Sequence, residues 1–402
     1  MAMRIVTQRA SGNTVPAEVD APLTAIIERQ VESGRAHHVV LGLTDGSGEL
    51  RWSAASARVA VDPATPFFIA SVTKRFIVTL VLQAHERGEL DLDERIGRYL
   101  PAADLAGLHV WRGVDRTREI TVRHLASHTS GLPDHFERRR GGGSLENALR
   151  RGADRRWTFD DVLHTTRQLQ RPHFAPQDLG ARRQKARYSD TGFQLLIRIL
   201  ETVTGYSFSE LVTTRIVDRL GLVDTYSPDR SGSASRRSPS TLYSGSKAVH
   251  LPAMIESSND LVSTTKDLLI FQRALCSGAL FRDRGMAALL TERSNRLRNI
   301  PVIAYGLGTM TFRVGRLMGG GSRPRTLVGH SGATGSWLFS CPEIDLHLAG
   351  TIDRTGSRAA PFVLMSQCLA AWSAGSEPMS TRGATGPGSS PGRRPTRWGG
   401  AR

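Results

Sequence analysis

Leu23, Ile26, Ile27 and Val31 recur at the three- and four-residue spacing of a helix with one apolar face, and they predict an amphipathic helix from about Ala17 to Gly34. The pattern then switches. His38 to Thr44 and Glu49 to Val59 read as two strands, joined by the turn residues Asp45-Gly46-Ser47-Gly48. Helical spacing returns at Phe76, Ile77, Leu80, Val81 and Ala84, and Gly88 stops that helix.

A long section from Leu90 to Leu290 is mostly helix and loop. Thr121 to Ser127, Gly192 to Thr204 and Thr265 to Ser277 carry helical patterns, whereas Arg138 to Asp154 and Asp229 to Ser246 read as long surface loops. Alternating, β-branched and aromatic stretches then predict strands at Ala304 to Val314, Thr326 to His330, Ser336 to Ser340 and Leu346 to Ile352. Ala359 to Ser373 closes as a helix, and the Gly, Ser, Pro and Arg residues after Gly375 read as a disordered tail.

Strands, a helical insertion and more strands imply an α+β fold: one antiparallel sheet built from both parts of the chain and flanked by the terminal helices. The expected divisions are an extension over residues 1–16, a sheet domain from 17–78 and 300–373, a mostly helical domain over 79–299, and a tail over 374–402.

The 402 residues suffice for a large core. Hydrophobic residues at 39% and charged residues at 22% are ordinary for a globular protein, and no apolar run reaches the length of a membrane span. The first fifteen residues lack an apolar signal core, so a cytoplasmic protein is expected. A net charge of +16 invites a nucleic-acid reading, but nearly all of it is arginine, with lysine only at Lys74, Lys185, Lys247 and Lys266. The clusters Arg138-Arg139-Arg140 and Arg182 to Arg187 lack any nucleic-acid motif and read as solvated surface. Cys276, Cys341 and Cys368 form neither a metal pattern nor a disulfide framework.

One segment changes this plain picture. Ser71-Val72-Thr73-Lys74 follows the apolar run Phe67-Phe68-Ile69-Ala70 and opens a strongly apolar helix. Residues three apart share a helix face, so the lysine nitrogen can sit beside the serine oxygen, which also lies at the positive end of the helix. A hydroxyl becomes a nucleophile once a neighbouring base takes its proton. Ser244 to Lys247 and Ser263 to Lys266 repeat the spacing, but the first lies in a polar loop and the second suits a helix cap. Tyr188-Ser189-Asp190 offers a phenol able to relay a proton. Gly329-His330-Ser331-Gly332 ends a strand, where the N–H of Ala333 can pair with that of Ser71 to hold an oxyanion.

In this order, Ser71-Val72-Thr73-Lys74, Tyr188-Ser189-Asp190 and His330-Ser331-Gly332 resemble the S-x-x-K, Y-x-N and [KH]-[TS]-G boxes of the penicillin-recognising serine hydrolases, and more narrowly the class C β-lactamase-like group of DD-carboxypeptidases, D-aminopeptidases and carboxylesterases. His128-Thr129-Ser130-Gly131-Leu132-Pro133 and Leu261 to Leu268 match the group in style. The resemblance implies a β-lactamase/transpeptidase-like fold with no metal and no cofactor. It makes Ser71 the acylated nucleophile, Lys74 its proton partner, Tyr188 the general base and acid, and His330 the counterpart of a frequent lysine. Ser331, Gly332 and Ala333 would flank the substrate, with Ser71 and Ala333 supplying the oxyanion N–H pair.

Two departures refine this. Asp190 stands in place of asparagine, and a carboxylate only accepts hydrogen bonds, which weakens an acylamido grip and keeps Lys74 charged. His330 in place of lysine removes a permanent charge, so recognition of a substrate carboxylate is expected to fade as His330 deprotonates near neutrality. The expected activity is therefore a serine hydrolase cleaving a small-molecule ester or small amide through a Ser71 acyl-enzyme. The alternatives are a DD-carboxypeptidase or β-lactamase on peptidoglycan-like substrates, and a catalytically silent binding homologue. No nucleic-acid or membrane partner is expected.

Overall fold

The computed structural model describes residues 5–137, 143–169, 171–228, 237–320 and 323–376. Its centre is a sheet of nine antiparallel strands: β1 (Val6–Arg9), β2 (His38–Asp45), β3 (Arg51–Ala57), β4 (Asn295–Arg296), β5 (Ile303–Tyr305), β6 (Met310–Val314), β7 (Arg325–Ser331), β8 (Ser336–Cys341) and β9 (Leu346–Thr351), in the order β1-β3-β2-β9-β8-β7-β6-β5-β4. The seam between the two halves of the chain is β2 against β9, with Leu43 opposite Leu348.

Side-chain alternation on β8 shows how the sheet is clothed. Trp337 and Phe339 face a core shared with the terminal helices α1 (Ala17–Glu32) and α6 (Ala360–Ser376), where Leu23, Ile27 and Val31 meet Leu364, Met365 and Leu369. Leu338, between them, faces the opposite core. There the helical part of the chain supplies α2 (Thr73–Glu86), α4 (Asp190–Thr204) and α5 (Thr265–Cys276). Every residue of α2 from Thr73 to Ala84 is buried, so this helix runs through the middle of the protein, its Phe76 ring stacked on Phe271 of α5 at 3.9 Å.

Several elements differ from the sequence expectation. Val6–Arg9, inside the expected extension, is an edge strand paired with β3. The single run expected from Ala304 to Val314 is the hairpin β5–β6, with Asn295–Arg296 added beyond it. The reversal exists because Gly308, at φ +54°, presses against α2, where a Cβ would lie 2.7 Å from the Val78 side chain and 3.0 Å from the Lys74 carbonyl. The expected loop at Arg138 to Asp154 contains α3 (Leu145–Arg151), capped by Ser144, whose side chain accepts from Asn147 N, and closed by Gly152 in the left-handed region. The serine-rich loop holds a short hairpin, Leu242–Ser244 against Lys247–Val249. The remaining parts of these loops, 138–142 and 229–236, lie outside the described residues, as does the tail from residue 377, while Ala374 to Ser376 still belong to α6. No helix among the described residues is long and apolar enough to cross a membrane.

Candidate active site

The backbone delivers Ser71 under constraint. Phe67–Phe68 pairs with Val262–Ser263, and Ile69 N donates to Leu261 O. Buried Ala70 then takes φ 45°, a left-handed conformation that non-glycine residues adopt only when the surroundings enforce it. A single 3-10 turn, Ala70–Val72, leads straight into α2. Ser71 thus stands at the positive end of a buried helix, one turn before Lys74.

Lys74 Nζ donates to Ser71 Oγ at 3.0 Å and forms an ion pair with Asp190 Oδ1 at the start of α4. Tyr188 Oη lies 2.9 Å from Ser71 Oγ and 3.4 Å from Asp190 Oδ1. Burial works to push the Lys74 ammonium down, but Asp190 beside it more than offsets this and holds it above its ordinary range. Burial, reinforced by the Asp190 charge, pushes the Tyr188 phenol well up. Asp190 is itself held low: burial opposes ionisation, and Lys74 overcomes it. The resting site is therefore ammonium, carboxylate and neutral phenol around one hydroxyl.

His128 fixes the tyrosine. Its carbonyl accepts from Arg187 N at 2.9 Å and its Nδ1 from Ser189 N at 3.3 Å, so the two neighbours of Tyr188 are both tied to one residue. Its ring lies 4.5 Å from the Tyr188 ring, and burial keeps it neutral. The sequence had offered His128 only as part of a matching segment, with nothing to reveal this clamp.

The turn between β7 and β8 closes the other side. Thr334 Oγ1 donates to Phe68 O at 3.0 Å and Ser336 Oγ to Ile69 O at 2.7 Å, which staples the turn to the segment before Ser71. Gly332 permits the contact: a Cβ there would sit 2.7 Å from Ile69 O and 2.2 Å from Ser336 Oγ. Ser331, Gly332 and Ala333 line one cavity together with Ser71, Lys74, Tyr188 and Asp190.

His330 is the exception. Its fully buried ring is not among the cavity's walls. Its Nδ1 meets Ser331 O at 2.9 Å, which requires a proton on Nδ1, so Nε2 accepts from Tyr305 Oη, also at 2.9 Å. Burial, with Lys74 nearby, pulls its pKa to about 3. The expectation that His330 titrates near neutrality and thereby tunes carboxylate recognition is corrected: the ring is uncharged near neutrality and lies buried against Tyr305, off the cavity wall. The other two Ser-x-x-Lys segments are structural, one a hairpin turn and the other the start of α5, where Thr264 accepts from Asp267 N.

The cavity measures about 710 Å³. Trp157, Ile197, Leu242, Leu251, Met254 and Ile255 give it an apolar wall. Among the described residues its cationic side chains are Lys74, paired with Asp190, Arg358, paired with Glu146, and the exposed Arg150. Asp134, Glu137 and Asp260 add carboxyl groups. Sequence reading did not single out Asp134, Trp157 or Asp260, because the folding of distant segments brings them to Ser71.

Comparison with known proteins accords with this architecture. The chain is 25% identical over 255 residues to the putative penicillin-binding protein PbpX of Bacillus subtilis (strain 168), which covers 61% of this chain and 54% of that protein. It is 32% identical over 164 residues to penicillin-binding protein 4 of Amycolatopsis lactamdurans, covering 41% of this chain and 36% of that one. The matched region thus spans about half the length of these curated relatives or less. Among solved structures, a D-stereospecific amidohydrolase from Streptomyces sp. superposes with a TM-score of 0.68 at 25% identity, covering 87% of this chain and 98% of that one. EstCE1, described as a hydrolase with promiscuous acyltransferase activity, shares the fold with a TM-score of 0.67 at 18% identity, over 88% and 98% of the two chains. The Beta-lactamase family model runs through residues 23–363, from α1 across the helical part and the returning strands into α6, and the chain belongs to that family.

Proposed function

We propose that this chain is a serine hydrolase that cleaves an ester or small amide, uncharged and apolar around the scissile bond, through an acyl-enzyme on Ser71. The observation that carries the reading is Ser71 Oγ lying 3.0 Å from Lys74 Nζ and 2.9 Å from Tyr188 Oη on the wall of a largely apolar cavity. Ser71 Oγ attacks the substrate carbonyl. Tyr188 handles the serine proton and returns it to the leaving group. The Lys74 ammonium steadies the developing charge on Oγ, while the N–H groups of Ser71 and Ala333 hold the oxyanion. Ser331 and Gly332 bound the same space. His330 stays behind the cavity wall, hydrogen-bonded to Tyr305.

Charge favours ester or small amide over a substrate bearing a carboxylate beside the scissile bond. Of the cations lining the cavity among the described residues, Lys74 and Arg358 are already paired and Arg150 is exposed to solvent, while Asp134, Glu137 and Asp260 add carboxyl groups to the same lining. A carboxylate taken into this end without a partner costs about 1–3 kcal/mol or more, which is about fivefold to over a hundredfold in kcat/KM. DD-peptidase and β-lactamase activity are the runner-up for that reason.

The test compares p-nitrophenyl butyrate, a D-Ala-D-Ala peptide and a chromogenic cephalosporin, alongside mass spectrometry after a fluorophosphonate. The expected result is an adduct on Ser71 that is lost in Ser71→Ala, with the ester the best substrate. Preference for the peptide or cephalosporin would overturn the substrate assignment. Folded protein that resists several acylating probes would point instead to the silent binding homologue.

A further inference from the structure

We propose that Asp190 is the terminal proton acceptor of acylation, receiving through Tyr188 the proton that Ser71 gives up, while Lys74 keeps its ammonium throughout. The inference rests on the Ser71 acyl-enzyme reading and adds a catalytic role for a residue that the family pattern fills with asparagine.

A base needs a lone pair in reach and a form ready to use it. Lys74 donates to both Ser71 Oγ and Asp190 and, as an ammonium, has no lone pair. Tyr188 touches Ser71 Oγ at 2.9 Å but is a neutral phenol, so it accepts a proton only as it passes its own onward. Beyond Ser71, the acceptor within its reach is Asp190 Oδ1 at 3.4 Å. An asparagine amide oxygen at that point is no base, so the relay exists only because the residue is aspartate.

The step balances. The Oγ–carbon bond forms, and the carbonyl π pair moves onto the carbonyl oxygen, held by the Ser71 and Ala333 N–H groups. The serine proton passes to Tyr188 Oη as the tyrosine proton passes to Asp190 Oδ1. One carboxylate becomes a carboxylic acid and one carbonyl becomes an oxyanion, with no net charge created. Collapse of the intermediate sends a proton back through Tyr188 to the leaving group and ionises Asp190 again. Asp190 needs to hold the proton only for the life of that intermediate, so its low resting affinity is no obstacle, and the adjacent ammonium offsets the oxyanion.

Other titratable groups also face Asp190. His128 and His330 are kept neutral by burial, and burial pushes the Tyr305 phenol well up. Asp134 and His135 face Asp190 from the segment after His128, and burial holds Asp134 well above the ordinary carboxyl range. Asp260 titrates at about 6 and is therefore controlled for explicitly.

The experiment is the pH dependence of kcat/KM on p-nitrophenyl butyrate for wild type, Asp260→Asn, Asp134→Asn and Asp190→Asn, with fluorophosphonate labelling of Ser71 in each. With Asp190 as acceptor, the acid limb of Asp260→Asn lies no higher than the ordinary carboxyl range and the profile is flat above it. Asp190→Asn strips Lys74 of its counter-charge, burial then lowers the lysine, and Lys74 becomes the base. That variant should fall at least about tenfold below wild type at about pH 6 and approach it by about pH 9. Equal profiles for wild type and Asp190→Asn would overturn the inference. So would an acid limb above about pH 7 that persists in both Asp260→Asn and Asp134→Asn, neither of which needs an Asp190 variant to fold. If wild-type Ser71 itself takes no label, the acyl-enzyme reading fails rather than the role of Asp190.

Discussion

Asp260→Asn should make this protein more stable above neutrality, by an amount that disappears in acid. Asp260 lines the cavity and accepts a hydrogen bond from Ser258 Oγ at 2.9 Å, with no cation in ion-pair contact among the described residues. Burial pushes its carboxyl from 3.8 up to about 6, and the attraction of Lys74 only tempers this. The sign follows from linkage. An acid whose folded pKa exceeds its unfolded one binds its proton more tightly when folded, so ionised Asp260 opposes folding above about pH 6, and the penalty shrinks to nothing as pH falls through 3.8. The gap is roughly two pH units, and at about 1.4 kcal/mol per unit the penalty at pH 8 is about 3 kcal/mol. Asparagine keeps the acceptor for Ser258 and never ionises. Urea unfolding of both proteins at about pH 8 and about pH 4 reads the difference directly, with equal slopes confirming that the comparison is sound. A gap between the two proteins that is the same at both pH values would refute the reasoning.

Other outcomes test the rest of the site. Gly332→Ala forces the β7–β8 turn away from Ile69 O and should cut esterase kcat on the order of 100-fold with KM little changed, since it displaces an oxyanion donor rather than the apolar wall; a loss confined to KM would contradict that. KM for an anionic ester should show no inflection between about pH 5.5 and 8 traceable to His330, because that ring titrates at about 3. An inflection that vanishes in His330→Gln would show that the ring reaches substrate after all.

What the sequence revealed depended on how local each determinant was. Ser71 and Lys74 were legible because three residues of helix bring their side chains together whatever the rest of the chain does. Tyr188 was legible only through its resemblance to a motif, as nothing within Tyr188-Ser189-Asp190 says that a distant serine lies opposite. His330 shows the limit: its position in the strand was read correctly, yet strand position does not say whether a ring ends beside substrate or against Tyr305. The helix Leu145–Arg151 had local signals in Ser144 and Gly152, outweighed by the arginines and glycines before them. The hairpin β5–β6 had a local signal in Gly306 and Gly308, which the reading of one long strand passed over, while the contact of Gly308 with α2 lies across the core.

The seam between β2 and β9 bears on how the protein comes into being. As the chain leaves the ribosome, the serine, lysine and tyrosine emerge long before the strand that must lie against β2 and the turn that carries Ala333. A nascent polypeptide that ends ahead of β7 would carry the nucleophile with only half its anion cradle and an unmated β2 edge. The cavity around Ser71 is therefore complete only once the last strands of the sheet have been made.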